Sequence, residues 1–237
     1  MPENQQGFKD STRLTKWTVW ILYAQVVVGV VAILFNLLEY QVLVNLKNDA
    51  FPSPELADAA AEASDTRQAF IGIIQALLFF TSIVLVLKWI YRANDNARRL
   101  GAEGMTFTPG WSVGWYFIPI LSSWKPYQAM KEIWKASVDP QSWKPQSASS
   151  LLPWWWFFWI VSNILGQAAF RLILRAEEID ELITSNIVTQ LSDISDIPLT
   201  LILIAIISRI YKMQTAHAAK PVGGHSFYSG EPMNSIS

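Results

Sequence analysis

Long uncharged stretches gather this chain's charges into clusters, and that pattern fits a membrane protein rather than a soluble domain. Residues 17–38 lie between Lys16 and Glu39 with no formal charge, residues 68–87 lie between Arg67 and Lys88, and residues 145–170 lie between Lys144 and Arg171. In the third window the continuous apolar part begins at Leu151. A helix rises about 1.5 Å per residue and the hydrocarbon core is about 30 Å thick, so roughly 20 residues cross it. Three windows therefore span. The fourth, 197–208 between Asp196 and Arg209, covers only about 18 Å. Part of the polar turn before Ile197 is expected to enter the membrane with it, and Pro198 to kink the helix or start a new one. Only 16% of the 237 residues are charged, against about a quarter in soluble domains.

The first window follows Lys9, Arg13 and Lys16 as a signal peptide would. It is too long for such a segment and lacks a small-residue cleavage site, so it is read as an uncleaved anchor. The absence of cysteine excludes disulfides and iron–sulfur clusters. Both histidines, His217 and His225, fall in the C-terminal tail, which excludes a histidine-ligated metal or haem inside the bundle. No cofactor is expected.

Charge sets the predicted orientation. Lys9, Arg13 and Lys16 precede the first span. Lys88, Arg92, Arg98, Arg99, Lys125, Lys131, Lys135 and Lys144 lie between the second and third. Arg209, Lys212 and Lys220 follow the fourth, making fourteen of the 18 basic residues on one side. Lys47, Arg67, Arg171 and Arg175 share the other side with twelve acids, from Glu39 to Asp65 and from Glu177 to Asp196. Basic segments stay cytoplasmic, so both termini and the central segment are predicted inside a bacterial inner membrane. The expected fold is all-α: a four-span transmembrane bundle with spans at about 17–43, 68–91, 151–174 and 190–212. Residues 1–16 form a cytoplasmic N-tail and residues 214–237 a disordered C-tail, the latter rich in glycine and proline from Pro221.

The two hairpins share an outline. Each begins with tryptophans and leaves through Ile90-Tyr91-Arg92 or Ile210-Tyr211-Lys212. This fits either a tandem duplication or ordinary interface composition. Ser53-Pro54-Glu55 is a helix start, feeding through an alanine-rich run into the second span. Within the spans, polar residues recur at helical spacing. Asn36 and Glu39 mark the first, Gln75 the second, and Asn163, Gln167, Arg171 and Arg175 the third. Asp193 and Asp196 mark the last, near the outer boundary where Arg171 and Arg175 of the antiparallel neighbour are expected. Intramembrane polar groups seldom face lipid. Glu39, Gln75, Gln167, Arg171, Asp193 and Asp196 are thus either an ion-paired packed interior or an outward-facing polar vestibule.

The central segment, 92–137, carries the most specific pattern. Arg92, Asn96 and Arg99 share one face of a cytoplasmic extension of the second span, which Gly101 ends. Thr108-Pro109-Gly110 makes a turn. Residues 111–121 are apolar but about half a bilayer long and contain Pro119, so they are interfacial or re-entrant rather than a fifth span. Ser122 or Ser123 is expected to cap a further helix running to about Ser137. It carries Tyr127, Met130, Ile133 and Trp134 on an apolar side, and Lys125, Gln128, Lys131, Glu132 and Lys135 on a wet one. A basic amphipathic helix flanked by tryptophans suits an anionic leaflet. Nucleic acid is excluded by a pI near 6.1 and by tryptophans at bilayer boundaries.

Trp89-Ile90-Tyr91-Arg92-Ala93, Asn96-Ala97-Arg98, Leu100-Gly101-Ala102, Thr108-Pro109-Gly110-Trp111, Gly114-Trp115, Pro119 and the run from Trp124-Lys125-Pro126 to Lys135-Ala136-Ser137 resemble a bacterial membrane family catalogued as domain of unknown function 4328. The resemblance covers about residues 15–213, and Ser122 stands where that family carries asparagine. It implies a four-span inner-membrane protein and brings no activity with it.

No nucleophile–base pair, phosphate-binding glycine loop or metal-ligand cluster stands out. The favoured reading is a binding or accessory protein whose Arg92, Asn96, Arg98, Trp111, Trp115, Trp124, Lys125, Tyr127, Gln128, Lys131 and Trp134 engage anionic inner-leaflet lipids or a partner protein, with a homo-oligomer also open. One alternative is an oligomeric solute or ion transporter or channel using the vestibule. The other is a lipid-modifying enzyme working through Asp193 or Glu132.

Overall fold

The computed structural model describes residues 7–219. These are helical, without strands. Four helices are long and apolar enough to cross a membrane: α1 (Thr12–Lys47), α2 (Pro54–Arg99), α5 (Leu151–Ile173) and α6 (Ile179–Ala218). Between α2 and α5 lie α3 (Pro109–Gly114), two short 3₁₀ turns (Trp115–Phe117 and Leu121–Ser123) and α4 (Lys125–Val138). Each tight hairpin, α1 with α2 and α5 with α6, packs along its length, and α1 packs on α6. Helices α2 and α5 share no packed interface.

Local chemistry sets the helix ends. Ser53 is extended before Pro54, whose missing N–H is one the first turn leaves unpaired anyway, and Ser53 O accepts from Ala57 N at 3.2 Å. At the other end Gly101 takes φ +107, Gly101 N donates to Arg98 O, and Ala102 N donates to Ala97 O. That pair of bonds with a left-handed glycine is a Schellman termination. Pro198 lies within α6 and does not end it. The fourth span is thus one uninterrupted helix that includes the polar turns before Ile197.

Three boundaries differ from the sequence reading. The N-tail is already helical from Thr12. The C-tail expected to be disordered from 214 is helical to Ala218, because Gln214 is buried and its amide donates to Ala93 O (2.8 Å) and Ser137 Oγ (2.9 Å). The rest of that tail, from 220, lies outside the described residues. Neither Ser122 nor Ser123 caps α4. Both sit in the preceding 3₁₀ turn, and the α4 N-cap is Trp124, whose carbonyl accepts from Gln128 N at 3.1 Å.

The core is concentrated at the basic end of the bundle. Trp89, Ile90 and Ala97 of α2, Met130 and Ile133 of α4, Leu152 and Trp155 of α5, and Ile206, Ile207 and Ile210 of α6 are all buried together. Elsewhere the helices present Leu34, Phe70, Leu77, Phe80, Ile164 and Phe170 outward. That is the inverse of a soluble bundle and the pattern expected where lipid is the solvent.

Candidate functional site

The structure divides the sequence-predicted residues into two places. At the basic end, the loop 102–108 folds back over α4. Glu132, expected on the wet side, is buried at 6% exposure, and its carboxylate accepts from Thr106 N (2.6 Å) and Phe107 N (2.9 Å). Arg98 donates to Met105 O and Phe107 O, both at 2.9 Å, and Asn94 Nδ2 donates to Phe107 O at 2.9 Å. A carboxylate thus takes the loop's amides while a guanidinium and an amide take its carbonyls. Asn96 is buried and pins the N-terminal segment, donating to Lys9 O and accepting from Lys9 N. Asn96, Arg98 and Glu132 therefore have structural work.

The apolar side of α4 is covered by protein. Met130, Ile133 and Trp134 pack in the core, and Tyr127 lies 6.0 Å from the Trp156 ring. Lys125 Nζ sits 5.7 Å from the Phe107 ring centroid and 5.9 Å from that of Trp115, inside cation–π range. Gln128 and Lys131 are exposed, Arg92 is half-buried, and Trp111 and Trp124 remain 51% and 41% exposed. The Trp111 and Trp115 rings lie tilted by 31° with centroids 4.7 Å apart.

The second place lies among the spans. With α2 and α5 apart, α1 and α6 form the back wall of a groove of about 1000 Å³, which α2 and α5 flank. Tyr116 and Phe117 close it at the basic end, so the apolar run 111–121 contributes its floor. Gln75, Gln167, Asp193 and Asp196 all line it. Asp193 accepts from Asn36 Nδ2 (2.8 Å) and Gln75 Nε2 (3.3 Å), tying α6 to α1 and α2. Glu39 is displaced from the groove and accepts from Asn186 Nδ2 at 2.7 Å. Asn186 also donates to Asn36 O at 3.1 Å.

Arg171 and Arg175 do not join the aspartates. Both are exposed, and the ion pairs among the described residues are Lys9–Asp95, Lys47–Asp180 and Arg99–Asp95. The reason is register. Ser192 of α6 is level with Gly166 of α5, and Arg171 lies five residues, about 7.5 Å, further toward the 174–178 turn. Level with the aspartates, α5 offers Ser162 and Gly166, and Ser192 Oγ comes within 3.7 Å of a Cβ built on Gly166. Sequence reasoning missed Ser162, Trp155, Trp159 and Tyr116 as lining residues. The i, i+4, i+7 spacing of Trp155, Trp159 and Ser162 was the available signal.

The family model for the domain of unknown function DUF4328 matches residues 53–212. The chain belongs to the DUF4328 family. The DUF4328 match runs from the start of α2 to the last turns of α6, and so takes in both flanks of the groove and the whole α3–α4 lobe. No curated protein and no solved structure matches the chain. With its four membrane-capable helices, this DUF4328 chain is a multi-pass membrane protein.

Proposed function

We propose that this protein is a membrane-embedded binding protein whose groove holds one amphiphilic molecule taken laterally from the bilayer between α2 and α5. The observation that supports this most is the groove itself. Its volume of about 1000 Å³ is at the upper end of ligand pockets, and its walls are apolar except for a few convergent polar groups. In this reading both termini and the α3–α4 lobe are cytoplasmic, which the distribution of lysine and arginine supports. Trp111, Phe117, Ile120 and Trp124 rest in the inner interface, and Gln128 and Lys131 meet anionic headgroups there. Arg92, Lys125 and Tyr127 brace that surface. The lobe is then the floor of the site as well as its contact with the leaflet.

Native mass spectrometry of gently purified protein tests the reading. A bound amphiphile of one mass class per chain is expected. Gly29 lines the groove, and a Cβ added there meets no atom within 4 Å, so Gly29→Trp should direct its ring into the groove and displace the ligand. Retention of the same adduct by Gly29→Trp would remove the support.

A second reading, a transporter or channel in an oligomer, is favoured by one observation: Asp193 and Asp196 both face the groove. Its measurable consequence is cation flux into liposomes that Asp193→Asn abolishes.

A further inference from the structure

We infer that the polar end of the groove's ligand is a cation, so that the site takes an alkylammonium-type amphiphile rather than a phosphate-headed or neutral one. This rests on the groove-binding reading and adds the chemistry of the headgroup.

Asp193 and Asp196 are three residues apart on α6, hence on one face, and both line the groove. Asp193 is held by two amides, one oxygen taking Asn36 Nδ2 and the other Gln75 Nε2. These neutral donors fix the carboxylate's direction and bring no positive charge. Among the described residues no lysine or arginine lies within 4.0 Å of either aspartate. A second observation comes from α5. Ser162 is 8% exposed, lines the same wall next to Asp196, and its Oγ lacks a hydrogen-bond partner of good geometry. The Asp196 carboxylate is close enough to draw this hydroxyl, but a buried hydroxyl that falls short of a well-formed bond is uncommon and marks a place where a polar group is to be met.

The depth is also informative. Asp193 is about 24 Å along α6 from Arg209, which places it inside a hydrocarbon core about 30 Å thick. Charged groups at such a depth are costly and pair with one another or serve a site. Two carboxylates repel a phosphate or sulfate head. An inorganic divalent ion is a poor fit, because the described residues hold no cluster of three His, Cys, Asp or Glu and such ions want several anionic ligands. An ammonium head needs only one or two carboxylates and a hydroxyl, and the apolar flanks of α2 and α5, such as Phe79 and Trp159, suit its alkyl chain.

The test uses the full chain in an uncharged detergent, titrated by native mass spectrometry with dodecyltrimethylammonium, dodecyl sulfate and dodecanol. The ammonium probe should bind one per chain at least tenfold more tightly than either other probe. In D193N/D196N that preference should vanish while dodecanol binding persists, which also shows that the groove is intact. Should the double variant fail to fold, Asp196→Asn alone should reduce the preference at least threefold. Equal affinity for the ammonium and neutral probes, or a preference untouched by the variants, overturns the cation inference and leaves the groove reading standing. Failure of all three probes to bind the wild-type chain overturns both.

Discussion

Replacing Glu132 with alanine should release the 102–108 loop while leaving the four spans in place. Two amide donors converge on this carboxylate, Thr106 N at 2.6 Å and Phe107 N at 2.9 Å. Thr106 is exposed, so its freed amide finds water and that bond is worth about 1.5 kcal/mol, the lower end for a charged acceptor. Phe107 is 8% exposed, and stranding its amide costs about 1.5–3 kcal/mol. The local loss is therefore about 3–4.5 kcal/mol. Each 1.4 kcal/mol is tenfold, so opening of this loop should become at least about a hundredfold more frequent.

Hydrogen exchange of the peptide spanning 103–108, measured in nanodiscs, reads this directly. Glu132→Gln keeps one acceptor oxygen and sets an NH₂ against the other amide, so it should fall between wild type and alanine. Lys131→Ala, on the exposed side of α4, should leave exchange unchanged. If Glu132→Ala exchanges within threefold of wild type, the carboxylate does not clamp the loop. The assignment of Glu132 to structure rather than chemistry would then fall.

Two further outcomes concern the N-terminal segment. Asn96→Ala removes both bonds to the Lys9 backbone, worth about 1–3 kcal/mol together, and tryptic cleavage after Lys9 should become roughly tenfold faster or more. The same contact should respond to acid. Burial alone would raise the Asp95 carboxyl, but hydrogen bonds from Arg99 and Lys9, and then their charges, hold it below the ordinary value of 3.8. A carboxylate depressed by folding contributes fully above its unfolded value and loses that contribution as pH falls through its folded one. Protection of the Lys9 amide, which donates to Asn96, against hydrogen exchange should therefore be constant above about pH 4 and fall below it, and Asp95→Asn should flatten that fall.

The spans were legible because bilayer thickness demands long uncharged windows, and that requirement is local in sequence. The Pro54 start and the Gly101 stop were legible for a similar reason, since each depends on one residue's backbone. Glu132 was misplaced because helical spacing groups it with neighbours on α4, whereas its partners arrive from a loop 25 and 26 residues earlier. The pairing of Arg171 with the aspartates failed on depth. All these residues lie toward the acidic side, yet with Ser192 level with Gly166, Arg171 sits about 9 Å nearer the 174–178 turn than Asp193. The groove itself was not legible, because no local pattern states which helices are neighbours.

Helix order also bears on the duplication suggested by the two Ile-Tyr-basic exits. If two copies of one hairpin were related by a two-fold axis along the membrane normal, α1 would correspond to α5 and α2 to α6. The packed α1–α6 interface would then recur as a packed α5–α2 interface. The first exists and the second does not. In its place stands the groove, with Asp193 and Asp196 on its wall. The α3–α4 lobe supplies a physical cause. It is the connection between α2 and α5, and α4 packs on α2, α5 and α6 at the basic end, where a short loop would draw α2 and α5 together. Tyr116 and Phe117 of the same lobe enter the groove's end. The α3–α4 lobe thus acts as a spacer, and its polar contacts at Glu132, Arg98 and Asn94 brace it against closure of the groove.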